Sequence, residues 1–304
     1  MSAAWTDAAA VAAVPAAVAA PGGEVRRLRV GDVELHCELH GSGEPLLLIH
    51  GLGSSGLDWQ AQVEHFRAFR RVITIDLRGH GQSSKARGPY SIGLFASDVA
   101  AAVRALGIDR LDVVGVSLGG MVAFQLAVDA PQLVRSLVIV NSGPYVPAAT
   151  FKQRLPLYIR LFYLHVLGLR RLAGAIAKRL FPAPAHEHLR RLFVERVSAN
   201  DKRCYLAALK AIFAGWDLSA RLPDIRCPTL IVAADQDYTP VALKEAYVAR
   251  MPNARLVVIP DSHHAVFMEK PREFNLALEA FLAAGAQRSA AAAAAPSVSP
   301  GGPS

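Results

Sequence analysis

Short apolar runs recur along the chain between stretches of helical spacing. Leu46-Leu47-Leu48-Ile49 stops at a His-Gly turn, and Val72-Ile73-Thr74-Ile75 ends at Asp76. Leu111–Val116, Leu137–Val140, Leu230–Ala234 and Leu256–Ile259 repeat the pattern. Runs this short, without polar alternation, predict strands buried on both faces. Between them, Ser97–Leu106, Leu118–Ala130, Val241–Arg250 and Arg272–Ala284 are predicted as helices. The first carries Ala100, Val103 and Leu106 at three-residue spacing, which gives it one buried face. Strands and helices alternating through short connections predict a mainly parallel sheet with helices on both sides. Residues 24–40 alternate instead about Gly31-Asp32, as an antiparallel hairpin at a sheet edge does.

The alternation stops after Gly143 and resumes only near Leu230. Prolines 144, 147, 156, 182 and 184 punctuate helical, irregular sequence there. We read 144–217 as a helical insertion that divides an α/β domain into 24–143 and 218–287. Residues 1–23 and 288–304 are rich in Ala, Pro, Gly and Ser without periodicity, so both ends are expected to be disordered. The apolar run Ala8–Ala20 is broken by Pro15 and preceded only by Asp7, a poor match to a secretory signal.

Composition sharpens this picture in two places. The chain has 304 residues, 52% hydrophobic and 19% charged, enough for one large α/β domain with an insertion. Its net charge of +8 is concentrated: Phe151–Arg203 holds twelve basic residues against Glu187, Glu195 and Asp201. No aromatic-interleaved basic motif accompanies them, so nucleic acid is not an expected partner. Cys37, Cys204 and Cys227 are odd in number and far apart, which suits free thiols in a reducing, cytoplasmic setting. No apolar stretch is long enough to predict a membrane span. There is no metal-ligand cluster or dinucleotide fingerprint, so neither metal nor cofactor is expected.

The candidate chemistry begins at Gly115-Val116-Ser117-Leu118-Gly119-Gly120, between a predicted strand and a predicted helix. A serine on such a turn is held above the sheet on a strained backbone. The glycines before and after it are needed because side chains there would clash. The N–H of Leu118, at the helix N-terminus, faces the same place.

With this motif the sequence resembles the α/β-hydrolase superfamily over nearly all of residues 24–286. The resemblance implies an eight-stranded, mainly parallel sheet flanked by helices, with the insertion as a helical cap. His50-Gly51-Leu52-Gly53 is similar to the family's oxyanion loop, which implies that the N–H groups of Leu52 and Leu118 stabilise a tetrahedral oxyanion. Asp76-Leu77-Arg78-Gly79-His80-Gly81 resembles a structural turn, so Asp76, Arg78 and His80 are expected to be structural. In the family the base histidine is followed by Glu five residues later and then x-Pro. Glu269 and Pro271 select His264 by that pattern, with His263 in the usual glycine position as the alternative. Histidine suits the role because it exchanges a proton near neutral pH. The acid follows a strand as Gly-x-x-Asp in the family. Here Ala234-Asp235-Gln236-Asp237 puts Asp237 in register. Ala for Gly and an early Pro240 leave Asp235 open. The order Ser117, Asp237, His264 is the superfamily's.

A serine nucleophile implies acyl transfer to water from an ester, thioester or lactone through an acyl-enzyme. Pro89-Tyr90-Ser91-Ile92 and Ser117-Leu118-Gly119-Gly120-Met121 look most like small carboxylesterases and enol-lactone hydrolases. The same triad also serves carbon–carbon bond hydrolysis, peroxyacid or haloperoxidase-type chemistry and cyanohydrin cleavage. A non-catalytic receptor of the same fold is a further alternative. In the insertion, the apolar run Leu155–Leu172 with Arg160, Arg170 and Arg171 reads two ways. It is either a cap helix packed on the core with its arginines in solvent, or a surface for an acyl chain or an anionic membrane.

Overall fold

The computed structural model describes residues 23–146 and 150–294. The leader expected over 1–23 lies outside these residues except for Gly23, as does the tail beyond 294. Eight strands form one sheet: β1 (Glu24–Val30), β2 (Val33–His40), β3 (Pro45–Ile49), β4 (Arg71–Ile75), β5 (Leu111–Val116), β6 (Val134–Val140), β7 (Thr229–Ala234) and β8 (Ala254–Ile259). Their spatial order is β1-β2-β4-β3-β5-β6-β7-β8. β1 and β2 form the expected hairpin, β2 runs antiparallel to β4, and every later pairing is parallel. Helices α1 (Gln60–Phe66), α2 (Ile92–Ala105) and α3 (Leu118–Asp129) connect the strands up to β6. Helices α4 (Phe151–Phe162), α5 (Leu169–Leu180), α6 (Glu187–Ser198) and α7 (Lys202–Ile212) lie between β6 and β7. Helix α8 (Val241–Val248) joins β7 to β8, and α9 (Val266–Glu269) and α10 (Pro271–Ala294) close the fold. Among the described residues, no helix is long and apolar enough to cross a membrane.

The burial pattern explains the apolar runs. β5 and β7 are buried at every position, because helices cover both faces of the sheet. β8 departs from expectation: Val258 is exposed and only Ile259 is fully buried. As the last strand it has β7 on one side only, so its apolar run does not report burial on both faces. Helix α2 begins earlier than its spacing suggested. The Ser91 side chain accepts from the Leu94 N–H and starts the helix at Ile92, adding Ile92 and Phe95 to the buried face. Helix α10 runs to Ala294, into the stretch read as a tail.

The two ends of the insertion lie side by side, joined by a bridge between Tyr145 and Asp217 and by Leu218 N–H to Pro144 O at 2.8 Å. Its helices rest on the loops after β3 and β4. Asn200 Nδ2 donates to Gly53 O at 2.7 Å, and Arg196 pairs with the buried Asp58. The run 155–172 is not one helix. α4 passes into a π-type turn at Tyr163–Leu167, and Gly168, at φ +82°, breaks the path before α5.

Candidate active site

Ser117 sits between β5 and α3 with φ 54° and ψ −118°, a conformation that costs a non-glycine residue of order 1–3 kcal/mol. The surroundings enforce it. Ser117 N–H bonds Val140 O at 3.0 Å, and its carbonyl accepts from Ser142 Oγ at 2.7 Å and Met121 N–H at 3.1 Å. A Cβ on Gly115 would meet Gly119 O at 2.2 Å, and one on Gly119 would meet Ile49 O at 2.2 Å. The glycines thus let α3 lie directly on β3 and β5.

Beside the serine runs the loop after β3, where a Cβ on Gly51 would lie 3.5 Å from the Ser117 Cβ. His50 is wholly buried, and burial lowers its basicity. Its Nε2 accepts from Leu77 N–H at 3.0 Å and its Nδ1 donates to Gly51 O at 2.7 Å. The Gly51 carbonyl also accepts from Ser54 N–H at 3.2 Å. A trans peptide sets N–H opposite C=O, so the Leu52 N–H is turned away from these partners. Leu118 is the first residue of α3, where N–H groups have no partner within the helix.

The two candidate acids have different surroundings. Asp235 accepts from Asp261 N–H and Ser262 N–H, both at 3.0 Å, and ties two loops together. Asp237 Oδ1 instead meets His264 Nδ1 at 2.8 Å. Its other oxygen accepts from Thr239 Oγ1 and from Lys244 Nζ, the latter at 3.0 Å. Both members of the Asp237–Lys244 ion pair have fully buried side chains. Burial alone would raise the Asp237 pKa, but His264 and Lys244 outweigh it and hold the carboxyl at about 2. Burial lowers the Lys244 pKa, opposed by Asp237.

The two histidines separate in the same way. His263 bonds Glu269 through both its N–H and its Nδ1, at 2.7 and 2.9 Å. His264 is placed by Asn141, whose Nδ2 donates to His264 O at 2.9 Å while its Oδ1 accepts from Ala234 N–H at 2.9 Å. The helix after His264 is anchored by Phe267 against the buried Trp59, with ring centroids 4.2 Å apart. His80 is wholly buried with its pKa driven down to about 3 by burial, a poor base. Asp76 accepts from Gly56 N–H and Gln82 N–H, and Arg78 is clamped by Asp98 and Asp32, so both brace loops.

Tyr238, Lys244 and Asn141 were not singled out from sequence. The Tyr238 hydroxyl lies 2.6 Å from His264 Nε2, and its ring stacks on the imidazole at 4.2 Å. With the imidazole proton on Nδ1 toward Asp237, Nε2 accepts and the phenol donates. Tyr238 is about half exposed, yet burial of its hydroxyl end pushes its pKa up to about 12. Arg160 of α4 and the Ser117 hydroxyl touch the same phenol and act the other way. The only sequence signal for Tyr238 is its place next to Asp237. Lys244 has none until Asp237 is assigned. A cavity of about 640 Å³ between β2, α6 and the loop after β3 is lined by Glu38, His40, Ser54, Gln82, Arg196 and Asn200; Ser117, Asp237 and His264 do not line it.

Comparison with known proteins agrees with this fold. Residues 44–271 match the α/β hydrolase fold family, and the chain belongs to it. It is similar to a provisionally named carbamate hydrolase, RutD, of Azorhizobium caulinodans, at 32% identity over 83% of this chain and 96% of that protein. Among solved structures it is similar to Est816, an N-acyl homoserine lactone degrading enzyme, with 31% identity, TM-score 0.75, and 84% and 100% of the two chains covered. The enol-lactonase of Burkholderia xenovorans LB400 matches with 25% identity and TM-score 0.78, covering 85% and 100%.

Proposed function

We propose that this hydrolase cleaves carboxylic esters, lactones included, through an acyl-enzyme on Ser117, with His264 as base and Asp237 as its orienting acid. The observation that carries the reading is the Asp237–His264 contact at 2.8 Å, joined through the Tyr238 phenol to the hydroxyl of a strained serine at a strand-to-helix turn. Asp237 holds the imidazole with Nδ1 protonated, leaving Nε2 to take the serine proton and return it to the leaving group. The N–H groups of Leu52 and Leu118 are the proposed oxyanion donors. Two such donors, set before the reaction, are worth a few kcal/mol of barrier each. In the resting arrangement the Tyr238 hydroxyl occupies Nε2, so it must yield or share that nitrogen when Ser117 reacts.

The inserted helices are proposed as the cap that shapes the pocket, since they rest on the loops flanking Ser117. Two similar proteins named for lactone chemistry favour cyclic or linear esters, while the RutD likeness keeps a carbamate as the second reading. The experiment is hydrolysis of p-nitrophenyl esters from acetate to dodecanoate, and of a p-nitrophenyl carbamate, by wild type and Ser117→Ala. Ester turnover that is lost in the variant supports the reading. Equal turnover in both overturns it, and carbamate turnover without ester turnover selects the second.

A further inference from the structure

Helix α4 and the π-type turn after it divide their apolar residues between two faces. Leu157, Leu161 and Leu164 pack inward against the core beneath the insertion. Phe151, Leu155, Tyr158, Ile159, Phe162 and Val166 are all exposed, Phe151 by 72% and Val166 by 64%. Their spacing of three or four residues puts them on one stripe, and the rings of Phe151 and Tyr158 stack at 5.8 Å. Other exposed large apolar residues, such as Val25, Leu57 and Phe69, lie singly on separate elements and need no explanation. Five on one helix and one on the turn that follows it do.

The charge of this stretch of chain has a single sign. No acidic residue occurs between Asp129 and Glu187. Arg170, Arg171, Lys178 and Arg179, on the next helix, are all exposed. A second copy of this chain would set the same basic stretch against itself. A neutral apolar partner would leave those basic groups unused. An exposed apolar helix face followed in the chain by an exposed cationic helix instead matches the boundary between acyl chains and anionic headgroups.

We infer that the outer face of α4 docks the protein on an anionic lipid surface, with the stripe in the acyl boundary and the α5 cations among the headgroups. This does not depend on the ester-cleavage reading. It also gives the two faces of α4 separate roles: the inner face packs against the apolar core, and the outer face meets lipid.

The test is co-sedimentation of the full chain with phosphatidylcholine vesicles, with and without phosphatidylglycerol, at low and physiological ionic strength. Binding is expected to be at least about tenfold tighter to the anionic vesicles and to weaken with salt. Ile159→Asp with Phe162→Asp should abolish it. Arg170→Glu with Arg171→Glu should weaken it on anionic vesicles only. Circular dichroism and p-nitrophenyl acetate turnover, which do not draw on these exposed positions, report whether each variant is folded. Equal or no binding to the two vesicle types, or wild-type binding by the Asp variant, overturns the inference. So does a concentration-dependent dimer in sedimentation velocity that the Asp variant dissolves, without vesicle binding, since the stripe would then be an interface between copies.

Discussion

The rim of the sheet and the outer face of α4 are opposites in how tightly the fold constrains them. At the rim, Ser117 is fixed by backbone bonds and by glycines whose Cβ atoms would strike carbonyl oxygens. Asp237 is fixed by His264, Thr239 and Lys244. On α4 and the turn after it, six large apolar side chains face outward. The difference separates two questions that one sequence mixes. On the proposed reading, bond-breaking chemistry is written where covalent geometry and buried charge leave few choices. Substrate and surface preference is written on helices whose sequence many partners would satisfy.

Breaking the rim should cost the most. Asp237→Asn is expected to lower kcat/KM by about 10³–10⁴-fold, because an amide favours the wrong imidazole tautomer. Asp235→Asn should cost far less, since that carboxylate ties loops rather than touching the imidazole. Steady-state kinetics of the two variants on one ester makes the comparison. The same Asp237 should appear in acid stability. Its pKa is held at about 2 against an ordinary 3.8, so its contribution is complete above 3.8 and is lost as pH falls toward 2. Linkage makes that roughly 2 kcal/mol. Urea midpoints across that window should fall less steeply in Asp237→Asn than in wild type.

Lys244→Met tests the buried cation. Leaving Asp237 without it should destabilise the fold by about 3–5 kcal/mol, read from chemical denaturation. With the opposing charge gone, Asp237 pulls harder on the protonated imidazole. The acid limb of kcat/KM should therefore move to higher pH, by up to about one unit. A lower rate with an unmoved limb would make Lys244 a packing residue only.

The smallest effects should come from residues that face the substrate. Tyr238→Phe keeps the stacked ring and frees Nε2, so kcat/KM is expected to rise, by less than about tenfold, the scale of one hydrogen bond. A fall would mean that the phenol assists the reaction. Leu161→Ala, on the inner face of α4, should shift the preferred ester to a longer acyl chain. Acetate turnover should stay within about threefold, since removing buried methyl groups opens space without touching the rim. If acetate falls as much as longer esters, α4 does not set chain length.

The parts of this molecule that were legible from sequence follow the same division. The elbow glycines and the order of strands and helices report backbone constraints that act locally, so a single chain displays them. The start of α2 was missed because its signal is one Ser91 hydroxyl rather than apolar spacing. β8 was misread because an edge strand beside a long helix can carry the same apolar run as a central one. Asp235 and Asp237 could not be separated by spacing alone, since each lies at the end of β7. What distinguishes them is a set of partners from distant segments: Lys244 and His264 for one, and the 261–262 backbone for the other. Tyr238 belongs to that class too, as its role depends on where the imidazole lies.

The measurement closest to the central claim is the intact mass of the protein after reaction with a fluorophosphonate, followed by peptide mapping. One adduct per chain at Ser117, formed by wild type and slowed strongly in His264→Ala and Asp237→Asn, is the result this account predicts. No adduct, an adduct on another residue, or equal labelling in all three proteins would contradict it.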